Sequence, residues 1–396
     1  MESTRLLDGI SILDLSQLIA GPSATSMLAE QGADVIKLES PSGDPSRKMG
    51  AARRYGFSST FAAYNKGKRS ISVNLQSAEG IQVCHRLIKN ADVIIEAFRP
   101  GVMDRLGLGF EQIQAIKPDI VYVSFSGFGE DGPMAQRPGV DLLIQGESGI
   151  MSITGEENGS PLKIGFTAVD AAAGFALSGA ILAGLLKKHR TGQGSRLNMS
   201  LMDVALYMQA GPITEYLMNG AVPPRTGNKA PLGSPAEVFK TKDGSLIVSA
   251  YFTHQWGDLC RLMELETLVD DPRFHDNEAR IANRSELHEL LQARFITKTS
   301  DAWKALLKPT RIIFGDVLDY PQVVASDQIK QSNTLINIET AEGTVPSVAT
   351  PLKATGQQPP ALALPLLGEH TQEILAEIGY AQQEITDLKE KGVVFY

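Results

Sequence analysis

The sequence predicts an α/β protein, a parallel sheet with helices on both faces, followed by a second, smaller domain. Three observations predict it. Strand-like and helix-like segments alternate through residues 1–130. The segments 93–98 and 120–125 are continuous apolar runs, as expected of strands buried on both faces. A chain of 396 residues also exceeds what one compact core ordinarily holds.

The elements follow in order. A strand spans 10–15, and Gly21-Pro22 turns the chain into a helix near 23–31, with Pro22 close to its first position, where its missing N–H costs nothing. Gly32 stops that helix, and 33–38 is the next strand. A strand at 71–75 leads to a helix over 79–90 whose inner side carries Ile81, Val83, Cys84, Leu87 and Ile88. From 131 to 220 the pattern is mostly helical: a short helix at 141–149, a long one over 169–188 ended by Thr191-Gly192, a strand at 196–201 and a helix over 203–218. Val222-Pro-Pro-Arg-Thr-Gly227 marks a linker. Strands 237–240 and 245–250 flank Asp243-Gly244, a hairpin signal, and helices follow at 254–263, 284–294 and 301–307. A second hairpin over 335–347 turns near Glu342-Gly343. Pro359-Pro360 begins an extended run to Leu367, and a helix from His370 closes the chain.

Composition excludes several function classes. The net charge of −8 argues against nucleic-acid partners and anionic membrane surfaces. Two cysteines, Cys84 and Cys260, make no disulfide framework and fit a reducing compartment; Cys84 reads as a small buried side chain on an amphipathic helix. Residues 1–7 lack the apolar core of a signal peptide. The most apolar stretch, 168–186, is rich in Ala and Gly and reads as a tightly packed helix rather than a membrane span. The six histidines never fall at metal-ligand spacing, so no metal is expected. Gly127-Phe-Gly-Glu-Asp-Gly132 matches a dinucleotide fingerprint in letters only. Glu130 and Asp131 would repel a pyrophosphate, Pro133 and Pro138 spoil the helix that should follow, and the first strand-to-helix turn lacks the motif.

One residue stands apart. Asp170 is an isolated carboxylate in a run of Ala, Val and Gly. A buried charge is costly without a role. It reads as a cap or first-turn acid, favoured by the helix dipole, and equally as a nucleophile, since the same helix terminus would keep the carboxylate ionised. Basic residues cluster beside strands: Lys66, Lys68 and Arg69 at a strand start, Arg99 and Arg105 after a strand end.

Six segments occur together: Leu13-Asp-Leu-Ser-Gln-Leu-Ile-Ala-Gly-Pro22 with Gly32-Ala-Asp-Val-Ile-Lys-Leu-Glu39; Asn65-Lys-Gly-Lys-Arg-Ser-Ile71; Ala91-Asp-Val-Ile-Ile-Glu-Ala-Phe-Arg-Pro-Gly101 with Asp104-Arg-Leu-Gly107; Arg137-Pro-Gly-Val-Asp141; Ala168-Val-Asp-Ala-Ala-Ala-Gly174; and Leu367-Gly-Glu-His-Thr371. In this order they resemble the class III CoA-transferases, the family of formyl-CoA:oxalate and carnitine CoA-transferases. The resemblance covers essentially the whole chain. It implies a covalent aspartyl intermediate at Asp170, and a CoA site near Ile19, Ala20, Val73, Phe98, Arg105 and Arg137. It implies an acyl-CoA and a small carboxylate as substrates, with no permanently bound cofactor. It further implies a Rossmann-like large domain over 1–220, a linker at 221–234, a smaller α+β domain over 235–330 and a return segment over 331–396, in a homodimer of interlocked rings. A cytoplasmic location is expected. Gly132 and Gly233 are expected oxyanion donors.

Departures from the family's patterns narrow the substrate. Racemases of the superfamily carry a histidine where Val140 stands, so proton exchange is disfavoured; a non-catalytic CoA-binding module would not need Asp170. Gly227-Asn-Lys-Ala-Pro-Leu-Gly233 replaces the four-glycine loop of oxalate-using members. The stretch Ile153-Thr-Gly-Glu-Glu-Asn-Gly-Ser-Pro161 is most similar to members that move CoA from succinyl-CoA to dicarboxylates such as itaconate, mesaconate, malate or glutarate. A second substrate carboxylate wants a cation, for which Arg47, Arg53 and Arg54 are available.

Overall fold

A computed structural model describes residues 5–354 and 362–396. The chain divides into two units, one made of Met1–Ile150, Ile164–Gly220 and Gln328–Tyr396, the other of Met151–Lys163 and Ala221–Asp327. Residues 151–163, placed by sequence within the first span, thus belong with the second unit. The start of the extended run at Pro359-Pro360 lies outside the described residues.

In the first unit, β1 (Ser11–Asp14), β2 (Asp34–Glu39), β3 (Arg69–Val73), β4 (Val93–Glu96), β5 (Val121–Ser126) and β6 (Ser195–Ser200) lie parallel in the order β3-β2-β1-β4-β5-β6. The C-terminal strand Val394–Phe395 adds antiparallel to β3, making seven strands. Strand order therefore reverses between β1 and β4. Alternate residues feed two cores: Leu13 and Ile94 enter one, while Ile12, Val93 and Ile95 enter the other. That is why these strands read as unbroken apolar runs.

The helices of this unit include α1 (Ala20–Glu30), α2 (Ser59–Tyr64), α3 (Ala78–Asn90), α4 (Asp141–Glu147), α5 (Ala168–Thr191), α6 (Leu201–Met208) and α7 (Ala210–Asn219). The helix α1 starts earlier than expected and takes in Gly21 and Pro22. The first turn has no intrahelical use for its N–H groups, so Pro22 is tolerated there. The single helix expected over 203–218 is two, broken at Gln209, whose side-chain amide donates to the carbonyls of Ser148 and Ala205.

The direction of α5 matters most. Near its C-terminus Lys188 pairs with Asp92 and Asp119, which precede β4 and β5. Gly184 lies against Val121 at the start of β5, where a Cβ would come within 2.5 Å of Val121 Cγ1. So α5 runs antiparallel to the strands, and its N-terminus lies at their carboxyl edge. Among the described residues α5 alone is long and apolar enough to cross a membrane; one face packs on α1 and β5, while Phe175, Leu182 and Leu186 are exposed.

The second unit holds an antiparallel sheet of Ala236–Lys240, Ser245–Ser249 and Ile313–Asp316 over a core that includes Trp256, Phe295 and Trp303. The expected hairpin is present, and Ile313–Asp316 is a third strand that sequence reading passed over.

Candidate active site

In an open parallel sheet the natural binding crevice lies at the carboxyl ends of the strands flanking the order reversal. Here these are β1 and β4, so the turn 15–19 and the loop 97–101 form its sides. The N-terminus of α5 reaches the same edge through Gly174. A Cβ on Gly174 would lie 2.7 Å from Ser23 Oγ and 3.5 Å from the Ala20 carbonyl oxygen. The glycine thus lets α5 close onto the first turn of α1. Asp170 lies one turn earlier on the same face of α5. Gly174 therefore serves helix packing.

Asp170 is the third residue of α5, and Thr167 at the N-cap makes no side-chain cap bond. The cap comes from elsewhere. Asp141, buried at the start of α4, accepts from the N–H of Val169 (2.8 Å) and of Asp170 (3.2 Å) through Oδ1. Its Oδ2 accepts from Gln145 Nε2 (2.6 Å), and Gln145 Oε1 accepts from the N–H of Ile164 (2.8 Å). Asp170 is therefore not the cap; it stands as the first-turn acid of α5.

Burial pushes the Asp170 carboxyl up to about 7, and the Asp141 carboxylate adds to the rise. The helix terminus is expected to hold it ionised; loss of water and the neighbouring negative charge act in the opposite direction. Among the described residues no hydrogen bond or cation contributes to holding it charged. A half-buried carboxylate close to neutral pH, with no internal partner, is a poorly solvated and hence reactive oxygen nucleophile.

The other expected residues separate into groups. Ile19 and Ala20 stand where the β1 turn enters α1, and are buried. Phe98 follows β4; its N–H donates to Glu96 Oε2 (2.8 Å), and its partly buried ring packs on the core. Arg105 and Arg99 are exposed and have no carboxylate partner among the described residues. Val73 has no exposed surface and serves the core. Arg137 is exposed but bonded to Glu147 (2.8 Å) and stacked over Phe128.

The three basic residues clustered at a strand start are committed to ion pairs. Lys66 pairs with Glu30 (3.1 Å), Lys68 with Asp14 (3.0 Å), and Arg69 with Asp34, Glu373 and Glu377. Lys66 and Lys68 are buried, so neither is the surface cation its letter suggested. Arg47 likewise grips Glu39 and stacks on Phe61, and Arg53 donates to the carbonyls of Arg47 and Lys48. Arg54 stacks on Tyr55 and has no carboxylate partner among the described residues. Gly132 lies in an open turn at φ +87, and Gly233 rests against the Tyr251 ring. Glu130 of the false fingerprint binds Arg196 and Asn198. Burial pushes the Cys84 thiol up to about 12, consistent with an inert core residue.

Sequence reasoning gave no role to four residues of the site, although Asp141 and Glu96 lie in the recurring segments. Asp141 and Gln145 lie at i and i+4, a spacing that puts both on one helix face. Tyr64, at the end of α2, feels both burial and the Asp170 charge, which raise its phenol. Glu96 is buried at the end of β4 and pushed up to about 7, chiefly by loss of water. An acid in an otherwise apolar strand was its only sequence signal.

The profile of CoA-transferase family III matches residues 7–371. An acyl-CoA transferase from Fusarium pseudograminearum is 38% identical, over 98% of this chain and 88% of that protein. A succinyl-CoA:glutarate CoA-transferase from Homo sapiens is 34% identical, over 100% of this chain and 91% of that protein. A solved CAIB/BAIF family protein from Brucella suis superposes with a TM-score of 0.83 at 36% identity, covering 95% of this chain and 100% of that one.

Proposed function

The chain belongs to CoA-transferase family III, and on that footing we propose that it moves CoA from succinyl-CoA to a small dicarboxylate through covalent intermediates on Asp170. The observation that carries this reading is the placement of Asp170. It is a half-buried carboxyl at the carboxyl edge of the sheet, with its main chain pinned by Asp141 and its oxygens left without an internal partner. The choice of acids is supported by the glutarate-using relative and by the 153–161 segment; glutarate and itaconate are the first acceptors to test.

The steps balance as follows. The Asp170 carboxylate attacks the thioester carbonyl, expels CoA thiolate and forms a mixed anhydride with the donor acyl group. The thiolate attacks the Asp170 carbonyl, forming an aspartyl thioester and releasing the donor acid. The acceptor carboxylate attacks that thioester, giving a new anhydride and freeing CoA thiolate again. The thiolate then attacks the acceptor's own carbonyl, forming the product thioester and regenerating the Asp170 carboxylate. Each attack builds an oxyanion that preorganised donors must stabilise. Holding CoA at its nucleotide end keeps the departed thiolate within reach. Arg99 and Arg105 suit its phosphates. Arg54, stacked on Tyr55 and without a carboxylate partner among the described residues, suits the distal carboxylate of a dicarboxylate. Val140 has no exchangeable proton, which disfavours racemisation.

The reading includes a homodimer in the cytoplasm. Helix α7 has no buried residue, and Leu217 and Met218 on it are 75% and 83% exposed. An apolar face of that kind calls for a partner. The test of function is a panel of dicarboxylates incubated with succinyl-CoA and resolved by chromatography of the CoA esters. Transfer to at least one dicarboxylate, lost in Asp170→Ala, is expected. Transfer only to monocarboxylates, or full activity in Asp170→Ala, would overturn it.

A further inference from the structure

We propose that the buried ion network Asp14, Lys37, Asp44 and Lys68 is a positioning device that sets the turn between β1 and α1 against the reacting centre. The Lys37–Asp44 pair (2.7 Å) and the Lys68–Asp14 pair (3.0 Å) each have side chains no more than 1% exposed. Stability alone is a weak reason for such pairs, because apolar side chains of similar volume commonly do as well. What apolar side chains cannot do is bond the main chain, and this network does so along one short turn.

Asp14 Oδ1 accepts from the N–H of Ser16 (2.9 Å) and from its hydroxyl. Lys37 Nζ donates to the Ser16 carbonyl (3.0 Å). Asp44 Oδ1 accepts from the N–H of Leu18 (3.3 Å). Lys68 Nζ donates to the Pro22 carbonyl (2.9 Å), and Thr25 Oγ1 donates to Asp14 Oδ2 (2.7 Å). The turn is thus gripped at Ser16, Leu18 and Pro22, on either side of Ile19 and Ala20.

The turn also needs gripping. Leu18 has φ 68, a left-handed conformation that a leucine adopts only when its surroundings impose it. Gly21 leaves no room for relaxation on the other side, since a Cβ there would collide with the Ser16 side chain. The first turn of α1 is the one that Gly174 brings against α5, so the backbone held by the network is the neighbour of the Asp170 segment. Lys37 and Lys68 touch no reacting atom; they act through the turn.

The proposal rests on Asp170 as nucleophile, and its test separates the two. The variants are Lys37→Met and the paired replacement Lys37→Met/Asp44→Leu, which leaves no uncompensated buried charge and keeps the fold if the single variant loses it. For both, kcat and KM for succinyl-CoA are measured beside circular dichroism and melting. The paired variant is expected to fold and to lose about a hundredfold in kcat, the scale of a small misplacement near reacting groups. KM for the thioester should change by a smaller factor than kcat, because Ile19 and Ala20 share this turn but the phosphates are matched to Arg99 and Arg105 beyond it. A folded paired variant with kcat within about twofold of the parent would overturn the proposal, as would a change confined to melting temperature. Asp170→Ala, assayed alongside, reports on the nucleophile alone.

Discussion

Replacing Asp141 with Asn perturbs both the anchoring and the charge of the segment that carries Asp170. The Asp170 carboxyl stands at about 7 against an ordinary 3.8, with burial the larger cause and the Asp141 charge the smaller. Losing that charge therefore removes less than half of the rise, and the midpoint falls to no lower than about 5.5. The asparagine oxygen still accepts from Val169, but its amide now meets Gln145 Nε2, so the Gln145 amide must turn over; the stability cost is about 1 kcal/mol. If the ionised carboxylate is the attacking species, kcat/KM rises with pH through its midpoint. At pH ~6 the ionised fraction climbs from about a tenth to at most about three quarters, giving up to about eightfold in kcat/KM. A weaker base is a weaker nucleophile, so part of that gain is offset, and above pH ~8 the variant equals or falls below the parent. The assay is CoA transfer from succinyl-CoA across pH ~5–9. An acidic limb that stays put in a folded, active variant would refute the electrostatic reasoning.

Further predictions concern stability and assembly. Asp170 has a raised pKa when folded, so its ionisation destabilises the fold progressively from about pH 4 and fully above about 7; Asp170→Asn should raise the melting temperature at pH ~8, by the equivalent of about 1–3 kcal/mol, and leave it unchanged near pH ~4. Gly174→Ala forces α5 from α1 and should cost about 1–3 kcal/mol in denaturant titration, with a larger loss in kcat than in KM. Arg47→Ala leaves Glu39 buried with its bidentate partner gone and should destabilise by about 3 kcal/mol or more, whereas Arg54→Ala should raise KM for a dicarboxylate acceptor without affecting melting. Leu217→Glu/Met218→Glu should halve the mass seen by light scattering if α7 lies in a dimer interface.

Much of the fold was legible because the physics is local and repetitive. The runs at 93–98 and 120–125 read as buried strands because residues such as Ile94 and Ile95 face opposite cores. Asp170 was legible because a lone acid in an apolar helix demands a reason. Long-range pairing was not. Lys66, Lys68 and Arg47 look like surface cations in sequence, and only the fold shows that Glu30, Asp14 and Glu39 neutralise them. The raised Asp170 carboxyl was hidden for the same reason: the dipole of its own helix is written in the sequence, whereas its burial, the larger cause, and the Asp141 carboxylate, 29 residues away in sequence, are set by the fold. Ile313–Asp316 escaped notice because a third strand at a sheet edge has weak alternation.

The most direct test is chemical trapping. The protein is mixed with succinyl-CoA, quenched with borohydride, digested and analysed by mass spectrometry. An aspartyl thioester at Asp170 is reduced to the alcohol, so the peptide spanning Asp170 should carry homoserine at that position, and hydroxylamine should leave a hydroxamate there instead. Neither mark should appear without thioester. Modification at another carboxyl, or transfer activity with no mark on Asp170, would contradict covalent catalysis at this residue.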